Sequence, residues 1–245
     1  MTEQPHAPSF QAEEIDIKEK GAPVDGQPQV STKRLFIQLQ VFTGLKDLKP
    51  IQDLLERNRI PSAIYKDVND PKGFGIVMMA EDPNHFSGSY RDVLNHPVFD
   101  GLVHRQDMTM LGRTYSTGRE QNLEDWLLAK PKKNILNPEH HWAIWYPLRR
   151  HGEFETLTPA EQGKIMAEHA VIGMSYGRTN LAHDIRLACH GIDKNDQEFV
   201  IGVVGKDLFP LSHLIQRMRR TVQTSKYIAS LGPFFVGRTF WQSPL

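Results

Sequence analysis

Short stretches of the chain alternate between apolar and polar residues, and this period of two predicts β-strands. Between them lie segments whose apolar residues recur every three or four positions, as in helices packed on one face. In the first half the order is strand, helix, strand, strand, helix, strand. The strands are expected at residues 34–42, 62–67, 74–80 and 102–111, and the helices at residues 48–59 and 82–95.

The second half repeats this order of elements. Its strands are expected at residues 141–147, 184–190, 198–204 and 234–240, and its helices at residues 159–176 and 211–224. The first of these helices begins at Thr158-Pro159-Ala160-Glu161, which is a capping box with proline at the first helical position.

The two halves also match in detail, since residues 67–79 parallel residues 191–204 and residues 111–115 parallel residues 236–240. The period is far longer than that of a solenoid, so the pattern indicates a tandem duplication of one α+β unit. Two βαββαβ units would give two antiparallel sheets, each with helices on one face. Joined edge to edge, the sheets would form a barrel with the helices outside. The space between a sheet and its helices is then the natural ligand site.

This plan divides the chain into four segments. Residues 1–32 have too little apolar surface to offset the entropy of ordering, so we expect a mobile N-terminal arm. The arm also lacks the basic and apolar regions of a secretory signal. Residues 33–115 and 140–245 are the two α+β units, and residues 116–139 are a polar connector with a short helical piece.

Charge and composition narrow the range of functions. Lys and Arg total 29, as do Asp and Glu, so the chain has no net positive charge that would favour electrostatic binding of nucleic acid. No apolar run approaches the length of a membrane-spanning helix. The single cysteine, Cys189, cannot form an internal disulfide, which fits a reducing compartment such as the cytoplasm.

A histidine lies on the apolar face of the capped helix. His169 shares that face with Ile165, Ile172 and Tyr176, at helical spacings. It could be a core histidine bonded to a backbone carbonyl. It could instead be an axial ligand to haem iron, for which a neutral imidazole held by a second hydrogen-bond partner is suitable. Glu168 faces elsewhere on the helix, so that partner would have to come from another element.

The strand at residues 141–147 contains Tyr146 and is followed by two arginines. Tyr146 could simply pack in an aromatic core, or it could lie over a haem edge, where a tyrosine can be oxidised to a radical. Arg149 and Arg150 could form a solvated turn, or they could bind carboxylates bidentately at the mouth of a pocket. Lysines of the connector, Lys132 among them, add positive charge, and together these cations could neutralise several propionates.

These features occur in an order that resembles a known family. The matching segments are Thr114-Tyr115-Ser116, Trp145-Tyr146-Pro147, His169-x-x-Ile172-Gly173-x-x-Tyr176, Gly191-x-Asp193, Met218-Arg219, Ser225-x-Tyr227 and Phe234-Phe235-Val236-Gly237. Over residues 33–240 the series resembles the chlorite dismutase-like superfamily, and within it the coproheme decarboxylases. The Gly118-Arg119-Glu120 segment differs from the sequence usual in the family, which is consistent with a divergent subgroup.

The resemblance implies a fold, an assembly and a set of site residues. The fold is a dimeric ferredoxin-like α+β barrel, usually assembled as a homopentamer, with haem held by residues 140–245. By resemblance His169 is the proximal haem iron ligand, and Tyr146 is the catalytic residue that carries a radical. The implied propionate contacts are Arg150, Lys132, Ser225 and Tyr115, and Arg149 is a candidate beside them.

The implied reaction is the peroxide-dependent oxidative decarboxylation of iron-coproporphyrin III (coproheme) to haem b, a step of haem biosynthesis. The partners would be the porphyrin and hydrogen peroxide, and the porphyrin would be both substrate and redox cofactor. The alternatives are a haem peroxidase, a weak chlorite-degrading enzyme, or a protein that binds haem without turnover.

The side of the haem opposite His169 is where this chain departs from the family. Chlorite dismutases carry arginine there, and the decarboxylases commonly carry glutamine. Counting back from Gly191 places Asp184 at that position, and counting forward from His169 places Ala182 there. Neither count gives arginine, although Arg186 lies two residues away on the Asp184 face. Chlorite chemistry is therefore disfavoured.

Overall fold

The computed structural model of the protein describes residues 13–245. The strands in these residues are β1 Glu19–Val24, β2 Gln27–Ser31, β3 Phe36–Thr43, β4 Ser62–Asp67, β5 Gly73–Ala80, β6 Val103–His104, β7 Met110–Thr114, β8 Trp142–Arg150, β9 His183–Ala188, β10 Phe199–Gly205, β11 Ile228–Leu231 and β12 Phe235–Gln242. The α-helices are α1 Lys49–Arg57, α2 Asn84–Ser87, α3 Ser89–Leu94, α4 Lys130–Ile135, α5 Pro159–Arg178, α6 Leu208–Met218 and α7 Val222–Tyr227. Short 3-10 helices lie at Pro97–Phe99, Gln106–Met108 and Gly152–Thr156, and a π-helix lies at Asp125–Ala129.

Eight of the strands close into an antiparallel barrel. The first unit has the order β7-β3-β5-β4, and the second has the equivalent order β12-β8-β10-β9. The units join at both edges, where β12 pairs with β4 and β7 pairs with β9. Each unit therefore has the strand order of a ferredoxin-like sheet, and the predicted α+β barrel of two such units is confirmed.

The barrel interior is apolar because alternate residues of each strand point inward. On β8, Ala143 and Trp145 lie in the interior cluster, whereas Ile144 and Tyr146 belong to a separate cluster on the outer face. Trp145 is 1% exposed and its ring lies against Gly202 of β10. The interior is thus filled by side chains, and ligand chemistry has to occur outside the barrel.

Replacing Gly202 by alanine is expected to lower the free energy of unfolding by about 1–3 kcal/mol, as overpacked core sites do. A Cβ at this position would lie 2.6 Å from a ring carbon of Trp145. Gly177→Ala in α5 is the control, since nothing lies within 4 Å of its Cβ position, and a helical glycine replaced by alanine is neutral or stabilising. Equal urea midpoints for the two variants would contradict this packing.

The connector contributes to the barrel core, which its polar composition did not predict. The π-helix and α4 place Leu127, Leu128, Ile135 and Leu136 in the interior cluster. Their buried face covers one part of the barrel interior, while the polar residues of the same segment remain at the surface. Residues 116–139 therefore serve as more than a linker.

Part of the predicted mobile arm is folded, so that prediction is wrong for residues 19–31. Strands β1 and β2 form a hairpin held by polar contacts. The Glu19 carboxylate accepts from Arg34 Nε at 3.1 Å, from Arg113 Nη1 at 3.3 Å and from the Ser116 backbone at 2.9 Å. The expectation of mobility counted only apolar burial, and these ion pairs supply the missing stabilisation. Residues 1–12 lie outside the described part of the chain.

Three other predicted elements are interrupted. The helix expected at residues 82–95 is two short helices separated by Gly88. The strand expected at residues 102–111 is β6, a 3-10 turn and β7. The helix expected at residues 211–224 divides into α6 and α7 at Thr221, whose side chain accepts a hydrogen bond from the Thr224 backbone N–H. None of the helices in residues 13–245 is long and apolar enough to cross a membrane.

Candidate functional site

Helix α5 packs over the outer face of the second sheet, and the region between the helix and that face is called the cleft. Its floor is set by the strand register, which aligns Arg186 of β9, Ile201 of β10 and Tyr146 of β8 in one row. The next row along aligns Asp184, Val203 and Ile144 in the same way. Because alternate residues share a face, these two rows form a continuous outward surface.

Helix α5 forms the opposite wall. Its capping box is present, with the Thr158 and Glu161 side chains each bonded to the other's backbone N–H, so the predicted start of this helix is confirmed. Tyr176 of α5 packs in one apolar cluster with Tyr146 and with Leu211 of α6. This layer anchors the helix over the sheet and fixes the position of His169 along it.

His169 faces the sheet residues and is held by a neighbour that the sequence did not identify. Its Nδ1 lies 3.5 Å from Thr221 Oγ1, a long hydrogen bond from the α6–α7 junction. The Thr221 hydroxyl donates to the Met218 carbonyl at 2.8 Å, so it can only accept from the imidazole. With its ring hydrogen on Nδ1, His169 would donate to Thr221 and present the lone pair of Nε2. This is the tautomer in which an imidazole binds a metal through Nε2.

The electrostatic surroundings favour the neutral imidazole. Burial lowers the pKa of His169, and the positive charge of Arg186 lowers it further, while Asp184 and Glu168 act in the opposite direction. Glu168 also accepts a hydrogen bond from the Val222 backbone N–H at 3.0 Å, which ties α7 to α5 beside the histidine. At neutral pH His169 is thus an uncharged imidazole in a supported position.

Tyr146 lies on the sheet side of the same cleft. It is 7% exposed, and its ring stacks on Phe234 at a centroid distance of 4.7 Å. Burial raises the pKa of the Tyr146 phenol well above its usual range; the nearby Asp184 carboxylate raises it further, and Arg219 lowers it. The phenol therefore keeps its proton at neutral pH, and any oxidation of Tyr146 has to release a proton together with an electron.

A carboxylate and a guanidinium lie beside Tyr146 on the floor. Asp184 Oδ2 and Arg186 Nε are 3.2 Å apart. The guanidinium of Arg186 also lies 4.7 Å from the ring centre of Trp126, a π-helix residue whose indole N–H donates to the Tyr115 carbonyl at 3.0 Å. Ala182, the other residue predicted for the side opposite His169, is 1% exposed within the apolar cluster. Asp184 and Arg186 are therefore the polar groups of this wall that can meet a ligand.

Arg150 is already surrounded by partners. Its Nε lies 3.2 Å from Glu198 and its Nη2 lies 2.8 Å from Glu155, while Phe154 and Phe199 flank the guanidinium at 4.5 and 4.8 Å. Glu198 is 23% exposed and Glu155 is 57% exposed. A ligand carboxylate that binds Arg150 would therefore replace Glu155, the partner that water can already reach.

Tyr115 connects Arg150 to the Asp184–Arg186 pair. Its ring lies 5.6 Å from Phe199. Burial raises the pKa of Tyr115, the positive charges of Arg186 and Arg150 lower it, and Asp184 raises it. Tyr115, Arg150 and Arg186 thus lie within one electrostatic neighbourhood, next to the cleft.

The other predicted propionate contacts lie apart from this group. Arg149 pairs with Asp196 at 3.1 Å and points to the opposite side of β8 from Arg150. Lys132 pairs with Glu81 of the first unit at 3.1 Å. Ser225 is exposed on α7, where its backbone N–H bonds to Thr221. The structure brings together Tyr146, His169, Tyr115, Arg150, Asp184 and Arg186.

Comparisons with known proteins agree with the fold. A family model described as chlorite dismutase matches residues 73–240. A structure described as a novel haem-binding protein from Thermus thermophilus superposes with a TM-score of 0.68 at 14% identity, covering 84% of this chain and 91% of that one. Two mutant chlorite dismutases from Candidatus Nitrospira defluvii, both at 14% identity, give TM-scores of 0.63 and 0.64 and cover 86% of this chain and 91% of theirs. No curated protein sequence matches the chain.

Proposed function

The chain belongs to the chlorite dismutase family, and from this membership we propose that it binds an iron porphyrin between α5 and the second sheet. We further propose that the porphyrin is iron-coproporphyrin III, and that the protein uses hydrogen peroxide to decarboxylate it to haem b. The observation that carries the proposal is the position of Tyr146, a buried phenol on the sheet face that the His169 helix covers.

The residues present fit such a group. A porphyrin supplies the equatorial nitrogens of its iron, so the protein has to provide a single axial ligand, and the neutral His169 imidazole has the required free Nε2. The apolar residues Ile144, Val203 and Ile201 suit a macrocycle. Arg150 and Arg186 place positive charge where carboxylate side chains would reach.

When bound, the iron porphyrin would supply the reaction with peroxide and the oxidising capacity. Tyr146 would give up its phenolic hydrogen and then take a hydrogen atom from a propionate side chain. That side chain loses its carboxylate as carbon dioxide and becomes a vinyl group. Each propionate carboxylate releases two electrons and one proton, and with one further proton from water these reduce one hydrogen peroxide to two waters, so two propionates require two peroxides. The protein's contribution is to orient the propionate and to keep the phenol protonated and dry.

Arg150 would hold one propionate in place of Glu155. Arg150→Lys is expected to weaken coproheme binding by about 10-fold or more, because lysine cannot form the bidentate contact or the flat stacking on Phe154 and Phe199. Arg149→Lys, one residue away on the other face of β8, is the matched control and should bind normally. Quenching of intrinsic fluorescence on titration with iron-coproporphyrin III measures both. Equal affinities for the two variants would exclude Arg150 as the propionate contact.

A haem peroxidase is the second candidate function, favoured by the Asp184–Arg186 pair, whose charges act on His169. One experiment separates the candidates: the purified protein is incubated with iron-coproporphyrin III and titrated with peroxide, and in parallel it is loaded with haem and given either chlorite or peroxide with an organic reductant. Vinyl products support the decarboxylase. Oxidation of the reductant without vinyl products supports the peroxidase, oxygen release supports chlorite chemistry, and binding without turnover supports a carrier.

The remaining features follow from the same family resemblance. We propose a homopentamer that acts in the cytoplasm, with the porphyrin and hydrogen peroxide as its ligands. Sedimentation of the purified protein tests the assembly.

A further inference from the structure

We propose that Tyr176 and His213 form a second redox site, in which the Tyr176 phenol gives up an electron while its proton moves to the His213 imidazole. The site holds an oxidising equivalent when no propionate is in position to react. The inference rests on the proposed function for its oxidant, which is hydrogen peroxide acting through a radical on Tyr146. The hydrogen bond between the Tyr176 and His213 side chains carries the inference.

The geometry of this hydrogen bond identifies a proton donor and a base. The Tyr176 hydroxyl lies 2.6 Å from Nδ1 of His213. That separation is shorter than the usual range of N–H···O hydrogen bonds, about 2.7–3.2 Å, and falls within the range of hydroxyl donors. The phenol is therefore assigned as the donor and Nδ1 as the acceptor. Because a neutral imidazole is a base, it can take the phenolic proton as Tyr176 is oxidised.

Comparison with the other tyrosines sets Tyr176 apart. The chain contains six tyrosines, and all of them lie within residues 13–245. Tyr90 donates its hydroxyl hydrogen to the Met79 carbonyl at 2.9 Å, and a carbonyl cannot keep the proton. The Tyr65 hydroxyl is buried without a partner. Among the described residues, Tyr176 is the tyrosine whose hydroxyl bonds to an imidazole, so its oxidation is the one that a neighbouring base assists.

The pair lies close to the proposed site of radical formation. Tyr176 and Tyr146 belong to one contiguous apolar cluster on the outer face of the second sheet. Tyr176 follows His169 by two helical turns on α5, so the two residues share a face about 10 Å apart along the helix axis. Tyr176 is 5% exposed. An electron can therefore pass from Tyr176 to Tyr146 through packed side chains, without crossing solvent.

His213 connects the buried phenol to the surface. It is half-buried on α6, and its ring stacks on that of Phe209 at a centroid distance of 5.7 Å. Phe209 is itself 75% exposed. Arg217, one turn farther along α6, places its guanidinium 5.9 Å from the Tyr176 ring centre. This positive charge opposes a lasting imidazolium, so the proton that His213 accepts is expected to pass on to water.

The transfer balances between the two phenols. Tyr176 loses one electron to the Tyr146 radical, and its O–H bond breaks as the proton moves to His213 Nδ1. The Tyr146 oxygen takes up the electron and a proton from water, which restores its own O–H bond. Tyr176 is thereby oxidised to a neutral radical, and Tyr146 is reduced. When a propionate is held beside Tyr146, hydrogen abstraction consumes the radical, so the pair acts in the absence of reactive substrate.

Flash oxidation tests the pair without a porphyrin. The full-length protein is mixed with a photogenerated ruthenium(III) polypyridyl complex, a one-electron oxidant, and the tyrosyl radical is followed by absorption and by EPR. His213→Gln keeps a hydrogen-bond acceptor but removes the base, so it is expected to slow radical formation by about 100-fold, the lower end of what a positioned base contributes. Tyr176→Phe should abolish the signal. Tyr90→Phe is the matched control and should leave the signal unchanged.

A second arm of the experiment supplies the proposed oxidant. The protein is loaded with ferric haem b, which carries vinyl groups in place of the reactive propionates, and is frozen soon after peroxide is added. EPR of this sample is expected to show the same tyrosyl radical as the flash experiment. Tyr176→Phe should remove that radical, and Tyr90→Phe should retain it.

The outcomes distinguish this inference from the proposed function. If Tyr176→Phe and His213→Gln form the flash-generated radical at the wild-type rate and yield, the inference is wrong and the proposed function stands. If the flash result holds but no porphyrin binds, the proposed function falls and the redox pair stands. If haem binds and peroxide produces no radical on Tyr176, the role of the pair towards peroxide is overturned. Should Tyr176→Phe fail to fold, His213→Gln decides the matter, since an unchanged rate in that variant would overturn the inference.

Discussion

The Tyr146→Phe variant is expected to bind iron-coproporphyrin III normally and to lose decarboxylation by about 100-fold or more, because the reaction loses its hydrogen acceptor. Phenylalanine keeps the stack on Phe234 and the apolar volume between α5 and β8. The change removes only the phenolic oxygen, so binding and folding should be preserved. The rate of vinyl product formation under excess peroxide is the measurement.

Tyr176→Phe is the matched control for this experiment. Tyr176 is buried in the same apolar cluster, but its hydroxyl bonds to His213 Nδ1 at 2.6 Å. Removing that hydroxyl should cost about 1 kcal/mol of stability and leave the reaction rate intact. If Tyr146→Phe formed product at an undiminished rate, the role assigned to the Tyr146 phenol would be wrong.

The His169→Ala variant is expected to lose the absorption spectrum of an imidazole-bound ferric porphyrin, with a large fall in affinity. The reason is that Nε2 of His169 is the proposed axial ligand of the iron. Adding free imidazole should restore the spectrum, because the small cavity left by alanine can admit it. A Thr221→Val variant should retain the ligand but alter its spectrum, since Nδ1 loses its hydrogen-bond acceptor.

His213→Ala provides the comparison for this second prediction. His213 is also a helical histidine bonded to a buried side chain, but it lies on α6 with its Nδ1 engaged by Tyr176. Its removal should leave the imidazole spectrum unchanged. An unaltered spectrum in His169→Ala would remove His169 as the ligand.

The sequence predicted the barrel and the two walls of the site because both depend on local periodicity. Alternation along β8 separates Tyr146 from Trp145, and the capping box sets the start of α5 and hence the face that His169 occupies. These features follow from a period of two and from hydrogen bonds three residues apart. They can therefore be read without knowledge of the tertiary fold.

The surroundings of Arg150 and Arg186 could not be predicted in this way. Glu198 reaches Arg150 because β10 pairs with β8 in one particular register, and Trp126 reaches Arg186 because the connector packs over the barrel. Neither contact has a local signal. The break at Thr221 is hidden for a different reason: apolar spacing continues through it, while the Thr221 hydroxyl caps the start of α7 and also contacts His169.

The mass of the porphyrin after stepwise addition of peroxide tests the central claim most directly. With the protein and iron-coproporphyrin III, the account predicts two successive losses, each corresponding to one carboxyl group and one hydrogen atom of the side-chain carbon, at one peroxide apiece. The product should be haem b bound through His169. A porphyrin that keeps all of its carboxyl groups, while peroxide is consumed or the macrocycle is bleached, would contradict it.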